Sequence, residues 1–228
     1  MKSLIVGMGE IGSALYKVLD QYKPAGLDPE KGFVVPEQEF DIMHICFGYS
    51  TDFINQVKEY QEKYKPKFTV IHSTVPPETS GQLNAIHSPV IGIHPFIEDG
   101  LRTFTKFLAG NKADQVADYF RRAGLKVYIV DEAKATELMK ILDTSFYALC
   151  IEYTKDVKRQ CKKWGIPFEL WTIWTNNYNS GYQELGYPEF TRPNLIPILK
   201  PQGGHCTIPN LSLVDTAFAK VIKELNQL

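Results

Sequence analysis

SLIVGMGEIGSAL, residues 3 to 15, begins as a short apolar strand and ends as a helical pattern, with Gly7, Gly9 and Gly12 spaced G-x-G-x-x-G between the two. The spacing alone is a weak signal; its place between strand and helix makes it a strong one. The first glycine permits a tight turn, the second lets a pyrophosphate approach the backbone, and the third lets the helix pack on the strand. The N–H groups at the helix start attract the phosphates. Gly7, Gly9, Glu10, Ile11 and Gly12 are therefore the expected dinucleotide-binding turn. A second apolar run, PAGLD, ends on Asp28, at roughly the 20-residue separation expected of the acid that takes the ribose hydroxyls. That carboxylate repels a 2′-phosphate and no arginine follows closely, so the expected cofactor is NAD rather than NADP.

Outward from this turn, apolar runs alternate with helical patterns as far as about residue 130: DIMHICFG, TDFINQVKEYQEKY, FTVIHS, VIGIH and KVYIV. Strands alternating with helices predict an α/β fold, a doubly wound parallel sheet of Rossmann type. Beyond Val130 the texture changes. DEAKATELMKILDTSFYALCIEYTKDVKRQCKKWG contains no proline and no internal glycine, and Leu138, Ile141, Leu142, Phe146, Leu149, Tyr153, Val157 and Trp164 recur at helical spacing. One long amphipathic helix is predicted, closed by Gly165 with Pro167 beyond it. PFELWTIWTNNYNSGYQEL predicts another helix, residues 187 to 210 an ordered proline-rich loop, and LSLVDTAFAKVIKEL a closing helix. The reading is a nucleotide-binding domain over 1–132 and a smaller all-helical domain over 133–228, for substrate and dimerisation.

Composition narrows the partner. In 228 residues, 25 Lys+Arg nearly cancel 26 Asp+Glu, so no basic excess points to nucleic acid or an anionic membrane surface. No apolar run reaches the ~20 residues of a membrane span, and the N-terminal run is too short for a signal peptide. A small-molecule substrate and a cytoplasmic location are expected. Cys46, Cys150, Cys161 and Cys206 form no C-x-x-C pair, which suits a reducing compartment. The histidines have no paired carboxylate spacing, so no metal site is expected.

With the fingerprint, IHSTVPPETSG at 71–81, ELMKILDTSF at 137–146 and GGHC at 203–206 in this order, the chain resembles the UDP-glucose/GDP-mannose dehydrogenase family, over the first two of that family's three domains. The same portion is similar to the wider 6-phosphogluconate, 3-hydroxyacid and prephenate dehydrogenase group, and GIHPF at 92–96 resembles the G-x-H-P of prephenate dehydrogenases. The resemblance implies Ser73 and Thr74 near the nicotinamide, Lys140 as the helix lysine that stabilises an oxyanion, and Cys206 as the thiol that traps an aldehyde. Asp99, in HPFIEDG, is the nearest counterpart of a glutamate in the family's S-P-E-F segment. Thr144 stands where the family has asparagine, and the lysine–aspartate pair after the cysteine is missing.

The residues themselves bear different weights. Cys206 follows a Gly-Gly turn, accessible to a carbonyl, with His205 adjacent to lower its pKa; a small buried thiol in a tight loop is the alternative. Lys140 rides at the edge of the apolar stripe and could hold an alkoxide or act as base, with Thr144 one turn on; an ordinary solvated lysine is the alternative. His72 and His94 are each read as ending a strand, where ligands collect, and His94 is taken with His205 and Arg192 as substrate-binding. Arg192, beside Tyr182, Tyr187 and Phe190, could clamp an anion. The sum is an NAD-dependent oxidoreductase acting on an alcohol of a small anionic or sugar-type substrate, as a homodimer. A one-step hydroxyacid or prephenate-like dehydrogenase and a non-catalytic NAD-binding protein are the alternatives.

Overall fold

The computed structural model describes residues 1–198, 200–203 and 207–227. Two compact units divide the chain, Met1–Ile141 and Leu142–Leu228. In chain order the first holds β1 (Ser3–Val6), α1 (Glu10–Val18), β2 (Ala25–Leu27), β3 (Ile42–Ile45), α2 (Phe53–Tyr64), β4 (Phe68–Ile71), the single turn α3 (Thr79–Gln82) and β5 (Ile86–His87). It continues with α4 (Ile97–Thr103), β6 (Lys106–Ala109), α5 (Ala113–Arg122) and β7 (Val127–Val130). The strands form one seven-stranded sheet in the order β2-β1-β3-β4-β5-β6-β7. All neighbours are parallel except β5 and β6, which are antiparallel.

The register brings Val6 level with Leu27 and Ile45, and Ile45 level with Ile71, so these strands end along one edge. The chain winds away from β1 in both directions, to β2 on one side and β3 on the other, and a crevice outside the strand ends at such a point is where ligands bind in open α/β sheets. Both faces are covered, which is why the strands read as unbroken apolar runs. Ile5, Ile42, Val70 and Leu108 pack with Leu15 and Phe120 on one face; Leu4, Met43, Ile45 and Ile71 pack with Phe53 and Val57 on the other. Each such side chain contributes about 1.5–3 kcal/mol by leaving water.

The strand expected over VIGIH does not form. Pro89 has no N–H to give a ladder, so β5 stops at His87 and the following segment runs outside the sheet. His94 therefore does not end a strand; it lies in the connection to α4. Sequence reading also missed β6, four residues led by a lysine, and α5, whose Val116, Ala117 and Phe120 are buried at helical spacing.

The long helix is α6 (Ala133–Lys163), followed by α7 (Glu169–Glu184) and α8 (Ala217–Leu225), so the second unit is helical as expected. Gly165 ends α6 with φ +67, and the Ile166 N–H reaches back to the Cys161 carbonyl at 2.8 Å, a Schellman closure. Ala148, Leu211, Ala219 and Ile222 make the unit's small core. Glu152 and Lys155 are buried as a 2.8 Å ion pair, and Gln202 donates to Glu152 at 2.6 Å and to the Ala148 carbonyl at 3.0 Å, fastening the proline-rich loop to α6. The first compact unit takes in the start of the long helix, to Ile141. Thr136 and Glu137, in the first turns of α6, are bonded to the sheet side, as the site geometry makes clear.

Candidate functional site

The three fingerprint glycines are needed for different reasons. Gly7 has φ +90, and a Cβ there would lie 2.9 Å from the Phe47 nitrogen. A Cβ at Gly12 would lie 1.9 Å from the Gly7 carbonyl oxygen, so helix and turn touch backbone to backbone. Gly9 is different: a Cβ would meet only Lys31 Nζ, at 3.9 Å, which leaves the space that a pyrophosphate would fill. α1 starts at Glu10 with no side-chain cap, leaving its first N–H groups to a ligand. Asp28 Oδ2 accepts from the Met8 N–H at 2.9 Å, which folds the turn against the end of β2. Lys31, missed in the sequence, stands 3.7 Å from Asp28 Oδ2 and donates to the Met8 carbonyl at 3.0 Å. The residues fit a dinucleotide: an open glycine, a helix start and a carboxylate at a strand end.

Glu10 and His94 are brought together, carboxylate against imidazole Nδ1. Beside them is an open cleft of about 300 Å³ lined by Glu10, Ser13, Lys17, Pro95, Phe96 and Asp99, so Asp99, in the first turn of α4, faces α1. Ile11 is half-buried against the core beneath the turn. Ser73 is buried, and its hydroxyl donates to the Phe47 carbonyl at 2.5 Å, joining the chain beyond β3 to that beyond β4. Thr74 is half-buried beside it.

Glu137 is fully buried and accepts from the Glu78 N–H at 2.6 Å and the Ser80 N–H at 2.8 Å. Charge-assisted bonds of this kind are worth roughly 1.5–3 kcal/mol. They offset the cost, roughly 1–2 kcal/mol, of holding Glu78 at φ +76, where the resembled motif has glycine. One residue earlier, Thr136 Oγ1 lies 2.8 Å from His87 Nδ1, whose Nε2 faces the Ser73 carbonyl at 3.2 Å. Lys140 follows one turn on, half-buried, and its charge acts on His87 and Lys106. Thr144, a further turn along α6, is buried. Arg192 is exposed, its guanidinium 3.6 Å from the Tyr178 ring centroid and its backbone paired with Asn179; it belongs to the aromatic face of α7, with Tyr182 and Phe190. His205 and Cys206 lie outside the described residues.

The fold is shared with nucleotide-sugar and hydroxyacid dehydrogenases. The UDP-D-ManNAc dehydrogenase of Pyrococcus horikoshii matches with a TM-score of 0.71 at 14% identity, over 100% of this chain and 68% of that one. The 3-hydroxyisobutyrate dehydrogenase of Mycobacterium tuberculosis, with L-serine, matches at 0.71 and 12% identity, over 100% and 93%. A UDP-glucose dehydrogenase of the hyperthermophilic archaeon Pyrobaculum islandicum matches at 0.68 and 14%, over 100% and 68%. No protein-family model and no curated protein matches the chain. The expected two-part architecture is thus that of solved dehydrogenases. Among the described residues no helix is long and apolar enough to cross a membrane, and no group of three or more His, Cys, Asp or Glu could hold a metal ion.

Beneath the strand ends lies a polar chain that sequence reading did not find. His44 Nδ1 is 3.0 Å from His72 Nε2, His44 Nε2 is 3.3 Å from the Tyr119 hydroxyl, and His72 Nδ1 is 3.0 Å from Lys106 Nζ. All four residues are buried. His72 is thus a core histidine, the alternative to a ligand. Burial, reinforced by Lys106, pushes His44 down to about 3 and His72 well below its ordinary value; burial pushes His87 to about 3 as well, and Cys46 up to about 12. The Cys46 thiol is therefore no nucleophile.

These shifts predict acid sensitivity. The unfolded chain protonates its histidines near pH 6.5, whereas the folded chain does not protonate His44 and His87 until about pH 3 and holds His72 well below its ordinary value. Their contribution is complete above about pH 6.5 and is lost as pH falls towards 3. At the steepest, three protons correspond to about 4 kcal/mol per pH unit, against a total stability of about 5–15 kcal/mol. Urea unfolding at a series of pH values should show stability collapsing before pH 4; a flat profile between 6.5 and 4 would contradict it.

Proposed function

We propose that the chain is a pyridine-nucleotide-dependent dehydrogenase that oxidises a CH–OH group of a small anionic or sugar-type substrate. The observation that carries this reading is the turn itself: Gly9 open to a pyrophosphate, with Asp28 fastened to that turn by the Met8 N–H. The place of Lys140 supports it, half-buried on the part of α6 that belongs to the unit carrying the sheet. Bound at the turn, the nucleotide supplies a hydride acceptor. The chain's own part is then to hold or take the hydroxyl proton at Lys140 Nζ, with Thr144 and Asp99 as further polar candidates and Ser73 and Thr74 near the nicotinamide end. His94, Arg192 and His205 are the proposed substrate contacts. Cys206 would act only if the product is carried on to an acid. The one-step hydroxyacid reading is favoured by one specific observation: the 3-hydroxyisobutyrate dehydrogenase is matched over 93% of its length. NADH formation with a panel of hydroxyacids and nucleotide sugars tests the proposal; binding without turnover on any alcohol would leave the non-catalytic alternative.

The finer cofactor reading is NAD over NADP. Lys31 would attract a 2′-phosphate, but Asp28 stands 3.7 Å from it and opposes that charge. NAD(H) is expected to bind more tightly than NADP(H), and Asp28→Asn, which keeps an oxygen for the Met8 N–H, should reverse the order. Calorimetry giving NADP(H) equal or tighter affinity in the unaltered protein would sink this.

A homodimer is proposed from the second unit. Phe146 and Tyr153 on α6, Trp164 just past its end, and Ile173 and Trp174 on α7 are all more than half exposed, and a second copy would cover such faces. Sedimentation as a monomer at micromolar concentration would count against it. A cytoplasmic location fits the free thiols of Cys46, Cys150 and Cys161.

A further inference from the structure

We propose that Lys106 is a positioning residue for the 88–96 segment: its buried amine fastens the carbonyls of Ser88 and Pro89 and so fixes where His94 and Asp99 stand beside the start of α1. The proposal rests on the reading of those two residues as substrate-side groups. Lys106 opens β6, and because β6 runs antiparallel to β5 with His87 opposite Ala109, its backbone lies beyond the end of β5, level with the chain leaving that strand. Its side chain is 3% exposed. Nζ lies 2.7 Å from the Ser88 carbonyl, 3.2 Å from that of Pro89 and 3.0 Å from His72 Nδ1. The segment beyond belongs to no ladder, so these bonds, with the Ser88 hydroxyl on the Phe107 carbonyl at 2.7 Å, set the direction in which it departs. A buried amine is costly to desolvate and an apolar chain of equal length would fill the same space; what the lysine adds is its N–H groups.

The distances also limit the proton arrangements to two. His72 Nδ1 is 2.8 Å from the Ser88 carbonyl oxygen, a contact that is a hydrogen bond only in the tautomer with a proton on Nδ1. An uncharged Lys106 then satisfies every group: two N–H bonds to the two carbonyls and a lone pair facing Nδ1–H. His72 Nε2 accepts from His44 Nδ1–H, and His44 Nε2 accepts from the Tyr119 hydroxyl. A charged Lys106 has a third proton that must go to Nδ1, which moves both rings to the Nε2–H tautomer. Charge on Lys106 and the two tautomers therefore change together. The titratable groups that face Lys106 are His44 from β3 and Cys46 just past it, His72 just past β4, His87 from β5, and Lys140 from α6. Burial, with Lys140 adding and Cys46 opposing, pushes Lys106 down to about 7, so both states lie within reach of ordinary buffers.

Two measurements on the full chain test this, and neither needs turnover, so failure of the dehydrogenase reading would be seen separately. Hydrogen exchange on Lys106→Met should show protection across 90–96 reduced about tenfold or more, with α2 little changed; protection equal to the unaltered protein would overturn the proposal. Nitrogen-15 spectra of His44 and His72 in the unaltered protein, from about pH 6 to about pH 9, should show both rings passing from Nε2–H to Nδ1–H with one midpoint. Rings that keep one tautomer, or change at separate midpoints, would overturn it even if Lys106→Met fails to fold.

Discussion

Gly12→Val is expected to unfold the nucleotide-binding turn, whereas Gly9→Val is expected to leave the fold intact and abolish dinucleotide binding. The two glycines lie in one motif, yet the structure separates them. At Gly12 a Cβ would stand 1.9 Å from the Gly7 carbonyl oxygen and 3.4 Å from Ile5 Cγ2. The first neighbour is backbone and cannot swing aside, so α1 must lift from β1 and expose Leu15 and Val18, which are buried with it. A cost of about 3 kcal/mol or more follows, read as a lower urea midpoint. At Gly9 the nearest atom is the end of a flexible lysine at 3.9 Å, so valine is tolerated by the apo fold but occupies the volume into which a pyrophosphate must come. NAD affinity should fall by about 100-fold or more, roughly 2.7 kcal/mol, in calorimetry. Gly9→Val binding NAD as the unaltered protein does would remove the fingerprint from the function.

That contrast also marks what sequence could tell. The strand, turn and helix over residues 3–18 are legible because each follows from local rules: apolar run, glycine spacing, helical period. Asp28 was legible by separation alone. The strand expected at VIGIH rested on a short apolar run, and Pro89 just before it has no N–H for a ladder; β6 is hidden because a strand that begins with a lysine resembles a polar connection. Lys106 could not be understood before its partners were known; its carbonyl acceptors follow β5 and its histidine follows β4. Glu137 was hidden for the same reason. ELMK reads as an amphipathic turn, and only the tertiary fold brings Glu137 to two N–H groups of another element. Lys31 reads as a solvated lysine after a strand end, and only the fold brings it to the Met8 carbonyl. What stays local is readable; what depends on the meeting of distant elements is not.

The distinction between Glu137 and Lys140 carries the last expected result. Glu137 serves the fold: breaking a buried, doubly bonded carboxylate leaves two N–H groups unsatisfied and costs several kcal/mol. Lys140, one turn along the same helix and half-buried, makes its case as a chemical group. Lys140→Ala should therefore depress kcat/KM for alcohol oxidation by about 100-fold or more, the usual order for a lost acid–base or oxyanion group, with NAD affinity and the urea midpoint unchanged. A fall in stability instead would make Lys140 structural. The cysteine mutant should behave differently. Oxidising an alcohol to a carbonyl transfers one hydride and releases one proton, and needs no nucleophile; carrying an aldehyde on to an acid requires a thiol to add to the carbonyl, a second hydride to leave the resulting thiohemiacetal, and water to cleave the thioester. Cys206→Ala should still allow reduction of the corresponding aldehyde by NADH while forming no acid. Mass spectrometry of the products decides between the two chemistries: an acid from Cys206→Ala, or an unaltered enzyme that stops at the carbonyl, would make the thiol a loop residue and the one-step hydroxyacid dehydrogenase the better description of the chain.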